Sequence, residues 1–333
     1  MNAFLAACAA MASLAAPALA EPPPPASAFG RIPAIVTAAI SPDGRRVAIL
    51  GGASDQRFVS IATVDQPGLP VVPLGNVEGV GLRWIGDDYL AARIAVMDKL
   101  APRRQYRLER NVAISATGDI LNVLLGKDSL SRFIIEQPVL GVTTTAPTRA
   151  LVEGLVLSSG PSSDMNTKIA RKGVDDPFVA ALWSVDPKTG VGSLVERGDY
   201  DTRYWEVDSA GQARVRVEID QITHAFSIMG RAKGVRQWAL AWPGGDYDER
   251  RAYYGYSEPD DAIYLALNDR MVLKPLGGGA PTPIGPSLAG TNPELVWDDN
   301  RNTAVGIETG AEKPVTAWLD PEIGAVHAAL GRL

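Results

Sequence analysis

The sequence is poor in the residues on which most site chemistry is built. Its 333 residues include one cysteine, Cys8, and two histidines, His224 and His327. Two imidazoles more than a hundred residues apart, with no second thiol, do not make a zinc ligand set. Charge of one sign is also missing from any nucleic-acid surface, because the net charge is −6 and phosphate contacts need clustered Lys and Arg. The densest basic group, Arg103, Arg104, Arg107 and Arg110, has Glu109 among it and reads as a solvated strand face. No Gly-x-Ser-x-Gly pentapeptide occurs anywhere, so the strained strand-to-helix turn that presents a hydrolase serine has no sequence counterpart.

The N-terminus lacks charge altogether. Residues 1–20 are apolar from Phe4 and end in Ala18-Leu19-Ala20 before Glu21, the small-x-small pattern of a cleaved export signal. A cut after Ala20 predicts a periplasmic or secreted protein. Cys8, with seven residues ahead of it, reads as a small apolar residue of the signal and not as a lipidation site. It leaves with the signal, so neither disulfides nor thiolate chemistry is expected in the mature chain. Pro17 and the Pro22-to-Pro25 run that follows argue against a membrane-spanning helix.

What is abundant is punctuation: 33 glycines and 25 prolines, spread along the whole length. Ser41-Pro42-Asp43-Gly44, Val185-Asp186-Pro187-Lys188-Thr189-Gly190 and Asp208-Ser209-Ala210-Gly211 each separate two apolar runs and predict tight turns between strands. After the third, Ala213, Val215, Val217 and Ile219 alternate with Arg214, Arg216 and Glu218 at the strand period of two. Sustained helical spacing appears only at Leu319, Ile323, Val326 and Leu330, behind Asp320 as cap and Pro321 at the first helical position.

The turn aspartates Asp43, Asp88, Asp208 and Asp298 lie 45, 120 and 90 residues apart, roughly one, three and two units of about 45. That unit is the length of a four-stranded propeller blade, and it predicts an all-β propeller of about seven blades with a short C-terminal helix. The expected division is a signal peptide at 1–20, a Pro-rich lead-in at 21–30, the β-propeller at 31–318 and a terminal helix at 319–333. A β-sandwich with a second β-domain is the rival.

Three stretches carry a resemblance. They are residues 22–48 with Ala28-Phe29-Gly30-Arg31-Ile32-Pro33 and Ser41-Pro42-Asp43-Gly44, then Leu82-Arg83-Trp84-Ile85-Gly86-Asp87-Asp88-Tyr89-Leu90, then Trp297-Asp298-Asp299 through Trp318-Leu319-Asp320-Pro321. Together they resemble the propeller half of exported prolyl-oligopeptidase-family serine peptidases. In that family the final helix leads into an α/β-hydrolase domain, and the resemblance implies that this chain stops before it. It further implies a non-catalytic, substrate-gating propeller that binds peptides or a separately encoded hydrolase subunit. A Tol-like envelope propeller with a protein partner also fits the Ser-Pro-Asp-Gly turns.

No catalytic, cofactor or metal residue is assigned. Ser287, in Gly285-Pro286-Ser287-Leu288-Ala289, is followed by Asp320 and His327 in hydrolase order, which defines the enzymatic alternative. Proline before the serine, no helix pattern after it, and His327 within the apolar helix face all oppose that reading. His224 reads as a structural strand histidine. The pairs Asp87-Asp88, Asp175-Asp176, Asp260-Asp261 and Asp298-Asp299 read as turn residues, since none carries the oxygen ladder of a calcium loop. Gly277-Gly278-Gly279 reads as a turn, and the seven tryptophans as packing between sheets, with Trp238 or Trp242 the best candidates for a stacking surface.

Overall fold

The computed structural model describes residues 34–332 except 54–55, 67–69, 102–103, 129, 131–132, 158–177, 246–251 and 311–312. The expected export signal, Cys8, the Pro-rich lead-in, Arg103 and Asp175-Asp176 lie outside the described residues.

The chain is all-β, with six antiparallel meander sheets in chain order. Sheet 1 holds β1 (Ile35–Ile40), β2 (Arg46–Ala53), β3 (Gln56–Thr63) and β4 (Val71–Gly75). Sheet 2 holds β5 (Glu78–Ile85), β6 (Tyr89–Ala101), β7 (Arg104–Ser115) and β8 (Ile120–Val123). Sheet 3 is formed by β9 (Val139–Val142), β10 (Ala150–Leu157), β11 (Phe178–Val185) and β12 (Gly192–Arg197). Sheet 4 comprises β13 (Thr202–Val207), β14 (Ala213–Ile219), β15 (Phe226–Gly230) and β16 (Ala239–Gly245). Sheet 5 comprises β17 (Tyr253–Ser257), β18 (Ala262–Leu267), β19 (Arg270–Pro275) and β20 (Thr282–Ser287). Sheet 6 has three strands, β21 (Glu294–Asp298), β22 (Thr303–Thr309) and β23 (Val315–Trp318), and precedes helix α1 (Pro321–Leu330).

Each sheet packs on the next through one apolar cluster. Leu50, Val59 and Ile61 of sheet 1 meet Trp84, Leu90 and Ile114 of sheet 2. Ile85, Ala91 and Ala113 meet Ala150, Val152 and Val185 of sheet 3. Leu151 and Leu182 meet Trp205, Val207 and Ala213 of sheet 4. Val215, Val217, Phe226 and Ile228 meet Tyr256, Ile263 and Leu265 of sheet 5, and Tyr264 and Met271 meet Ala304 and Ile307 of sheet 6. Sheets 2 to 5 are therefore covered on both faces, which is why β10 and β18 read as near-continuous apolar runs. In β14 a clean alternation survives, with Val215 and Val217 facing sheet 5 while Arg216 reaches the rings of Trp205 and Trp238.

Length alone predicts about seven four-stranded units, whereas the described residues carry six sheets, five of them four-stranded. The stretch from Asp88 to Asp208 spans two hairpin steps and not three. It is lengthened by the long β6–β7 hairpin, with strands of 13 and 12 residues, and by the run from Leu124 to Pro138 before β9.

The terminal helix starts where its sequence signals place it: Asp320 accepts from the amides of Glu322 and Ile323, with Pro321 at the first position. Its apolar stripe is not buried. Val326 and Leu330 are about 60% exposed, and the helix touches sheet 6 chiefly where Trp318 packs on Gly324 and on the His327 ring, 5.0 Å between centroids. No described helix is long and apolar enough to cross a membrane.

Close packing of sheets 5 and 6 makes Gly255 sensitive. A Cβ there would lie 2.6 Å from the Trp297 ring, and the backbone is at φ +138. Gly255→Ala is expected to cost about 1–3 kcal/mol in urea denaturation, through overpacking and backbone strain together.

Candidate functional site

Six first-hairpin turns form one continuous surface. They lie at 41–45, 86–88, 143–149, 208–212, 258–261 and 299–302, the short links at which each sheet's first strand reverses into its second. Asp, Gly and Ser fill them because these residues hold tight reversals with their own side chains. Gly44, Gly86 and Gly211 take the positive φ that such turns require. Each turn is tied to the next. The Asp43 amide donates to Asp87 Oδ1 at 2.9 Å, and Arg46 Nη1 donates to the Asp87 carbonyl at 2.8 Å. Gly86 sits against Thr148, and the Thr144 amide donates to the Ser209 carbonyl. Ser209 donates through its amide and its hydroxyl to the Glu258 carboxylate, at 2.7 and 2.5 Å. The Glu258 amide then donates to the Asn302 carbonyl. Asn302 Nδ2 donates to the Val207 carbonyl at 2.8 Å, so the sixth sheet reaches back to the fourth.

Behind this surface the first strands carry charged and aromatic groups inside the protein. Tyr253 Oη of β17 donates to Glu206 Oε1 of β13 at 2.6 Å. Burial pushes the Glu206 carboxyl up to about 7 against the opposing pull of Tyr253 and of the Tyr256 amide. The Tyr253 hydroxyl is raised well above its ordinary value by burial and by the neighbouring Glu206. Glu153 of β10 is also pushed to about 7, by burial alone. On β5, burial lowers the Arg83 guanidinium while Asp299, in the sixth sheet's first turn, raises it. None of these four was singled out from sequence. The available signal was a charged residue in an otherwise apolar or aromatic strand, as in Tyr204-Trp205-Glu206-Val207 and Leu82-Arg83-Trp84-Ile85.

The hydrolase alternative finds no assembled site. Ser287 is exposed on β20, and its Oγ accepts only a long bond from the Ala289 amide. The Asp320 carboxylate is committed to Arg301 Nη1 at 2.8 Å and to the α1 cap, which hold it below its usual range. His327 stacks on Trp318. No hydrogen bond links the three among the described residues.

Two further expectations are revised, while Trp238 and Trp242 pack as the tryptophans were expected to. His224 is not in a strand; it occupies an exposed turn at φ 58, with its amide on the Asp220 carbonyl. Glu109 is not solvated but 3% exposed, held between Arg93 and Arg107, and Arg107 also pairs with Glu78. Trp238 is engaged in packing: Arg231 lies 4.5 Å from its ring centroid, Trp205 is 6.0 Å away, and its Nε1 donates weakly to Glu196. Trp242 meets Phe226 edge-on. Asp87-Asp88, Asp260-Asp261 and Asp298-Asp299 lie at first-hairpin turns, and Gly277-Gly278-Gly279 joins β19 to β20. No group of three metal-ligating side chains occurs among the described residues.

These features define an all-β protein of stacked antiparallel sheets with one turn-rich face and a charged interior. No protein-family model and no curated protein matches the chain. Among solved structures it is similar to a prolyl endopeptidase studied for inter-domain dynamics in catalysis and specificity, with a TM-score of 0.45 and 13% identity over 87% of this chain and 40% of that one. It is also similar to the AtxE2 isopeptidase in its apo form, with a TM-score of 0.29 and 14% identity over 83% and 45%. The chain thus spans less than half the length of either.

Proposed function

We propose that this chain is an exported, seven- or six-bladed β-propeller that acts as a binding module for peptides or a partner hydrolase and does not itself cleave. It resembles the substrate-gating half of prolyl-oligopeptidase-type peptidases. The observation that carries the reading is the linked run of first-hairpin turns, in which Asn302 of sheet 6 also bonds Val207 of sheet 4. Turns joined in this order are what short sheets arranged about an axis produce, and loops held on a rigid scaffold are where binding residues concentrate. Acyl-transfer catalysis needs a nucleophile within hydrogen-bond reach of its base, and Ser287, Asp320 and His327 have other commitments.

The test uses a fluorophosphonate probe on the purified chain, followed by mixing with a candidate hydrolase. The expected result is no labelling, and co-elution with altered peptidase activity on mixing. Labelling that disappears in Ser287→Ala would overturn the non-catalytic reading. Absence of both co-elution and any activity change would remove the partner hydrolase.

A further inference from the structure

Arg83 is a buried cation whose hydrogen bonding is incomplete. Its Nη1 donates to the Val139 carbonyl at 2.8 Å, which fixes the guanidinium across sheets 2 and 3. No carboxylate among the described residues pairs with it, in contrast to Arg93, Arg214 and Arg216, which each hold an acid of their own sheet, and Arg231, which holds Glu196 of the neighbouring one. Its remaining N–H groups meet no acceptor among the described residues, yet they are not sealed from solvent as Arg216 Nε is. A desolvated cation with no ion-pair partner in contact is costly, so such a group is poised to gain from an arriving anion.

Its neighbour on the same strand face is a glycine in open surroundings. Gly81 and Arg83 lie two apart on a regular stretch of β5, paired with Arg93 and Ala91, so they share one face of sheet 2. A Cβ placed on Gly81 meets nothing within 4 Å. Arg93 and Arg107 on the same face are offset by Glu109 and Glu78, which leaves Arg83 as the unbalanced charge, with Asp299 acting on it from sheet 6.

We infer that Arg83 and the open space at Gly81 form a seat for an oxyanion, a carboxylate or a phosphate, gripped by the free edge of the guanidinium fork. Such forks bind both groups bidentately, and one already oriented by Val139 loses little freedom on binding. The seat extends the binding-module reading by giving it a ligand class. Its failure would leave the fluorophosphonate and co-elution results unaffected.

The test is isothermal titration of the full chain with N-acetylalanine, its neutral amide, and inorganic phosphate. One oxyanion is expected to saturate a single site, weaken with added salt, and lose about ten-fold or more in affinity in Arg83→Gln and in Gly81→Phe. The arm that saturates identifies carboxylate or phosphate as the ligand group. Saturation by neither anion, equal binding of the amide, or undiminished affinity in either folded variant would overturn the seat. Gly81→Phe leaves the cation in place and decides the matter if Arg83→Gln does not fold.

Discussion

Trp205→Ala is expected to destabilise the protein by about 3–5 kcal/mol, the range for removing a fully buried large aromatic ring. Trp205 is 1% exposed and is the largest fully buried side chain in the described core. It fills the gap between Leu151 and Leu182 of sheet 3 and Val207 and Ala213 of sheet 4, and Arg216 lies 5.8 Å from its ring centroid. Its neighbours sit on two separate sheets, so they cannot close over the cavity without the sheets shifting as units. Trp205→Phe separates volume from hydrogen bonding. Its indole Nε1 has no partner, so losing it breaks no bond, and only about 1–2 kcal/mol should go with the missing ring. Guanidinium denaturation of both variants checks this, with Trp238→Ala, at the half-buried rim, as the milder comparison. A loss below 1 kcal/mol for Trp205→Ala would mean that sheets 3 and 4 are not held by this cluster.

The same ring shows what can and cannot be read from the sequence. Turns were legible because their causes are local. Gly44, Gly190 and Gly211 each adopt φ between 70 and 79, behind an aspartate that bonds the turn's own amides. The helix start was legible for the same reason, through Asp320 and Pro321. Sheet number was not, since repeat length was averaged over connections as unequal as the five-residue β1–β2 link and the run between β8 and β9. Nor was the interior chemistry. In a strand covered on both faces the apolar alternation vanishes, and with it the signal that would separate an inward Glu206 from a solvent-facing one. The place of Trp238 depended on the segment from Arg231 folding back to Glu196 of the neighbouring sheet, a contact between residues 35 apart. His224 was drawn into a strand by its apolar neighbours, whereas Asp220 accepts from the amides of Ile222 and Thr223 and closes a turn instead.

Buried carboxyls give the second large effect, a stability that falls as pH rises. Glu206 titrates near 7 when folded against 4.5 when unfolded, so between those values the folded chain holds a proton that the unfolded chain has released. Stability is therefore greatest below pH 4.5, declines through the interval, and carries the full penalty above 7, up to about 3 kcal/mol for such a difference. Glu153, also raised to about 7, acts in the same window and with the same sign, and Glu218, raised by burial, adds to it. The lowered groups Asp43, Glu78 and Asp320 work in the opposite direction, but only as pH falls below their unfolded values near 4. A urea series from pH 5 to 8 thus isolates the interior acids. Glu206→Gln keeps an acceptor for the Tyr253 hydroxyl while removing the ionisation. It should match the native chain at pH 5, exceed it by about 2–3 kcal/mol at pH 8, and flatten the slope between, with Glu153→Gln flattening what is left. An unchanged slope in Glu206→Gln would mean that this carboxyl ionises freely, and hence that water reaches the junction of sheets 4 and 5 that Tyr253 otherwise closes.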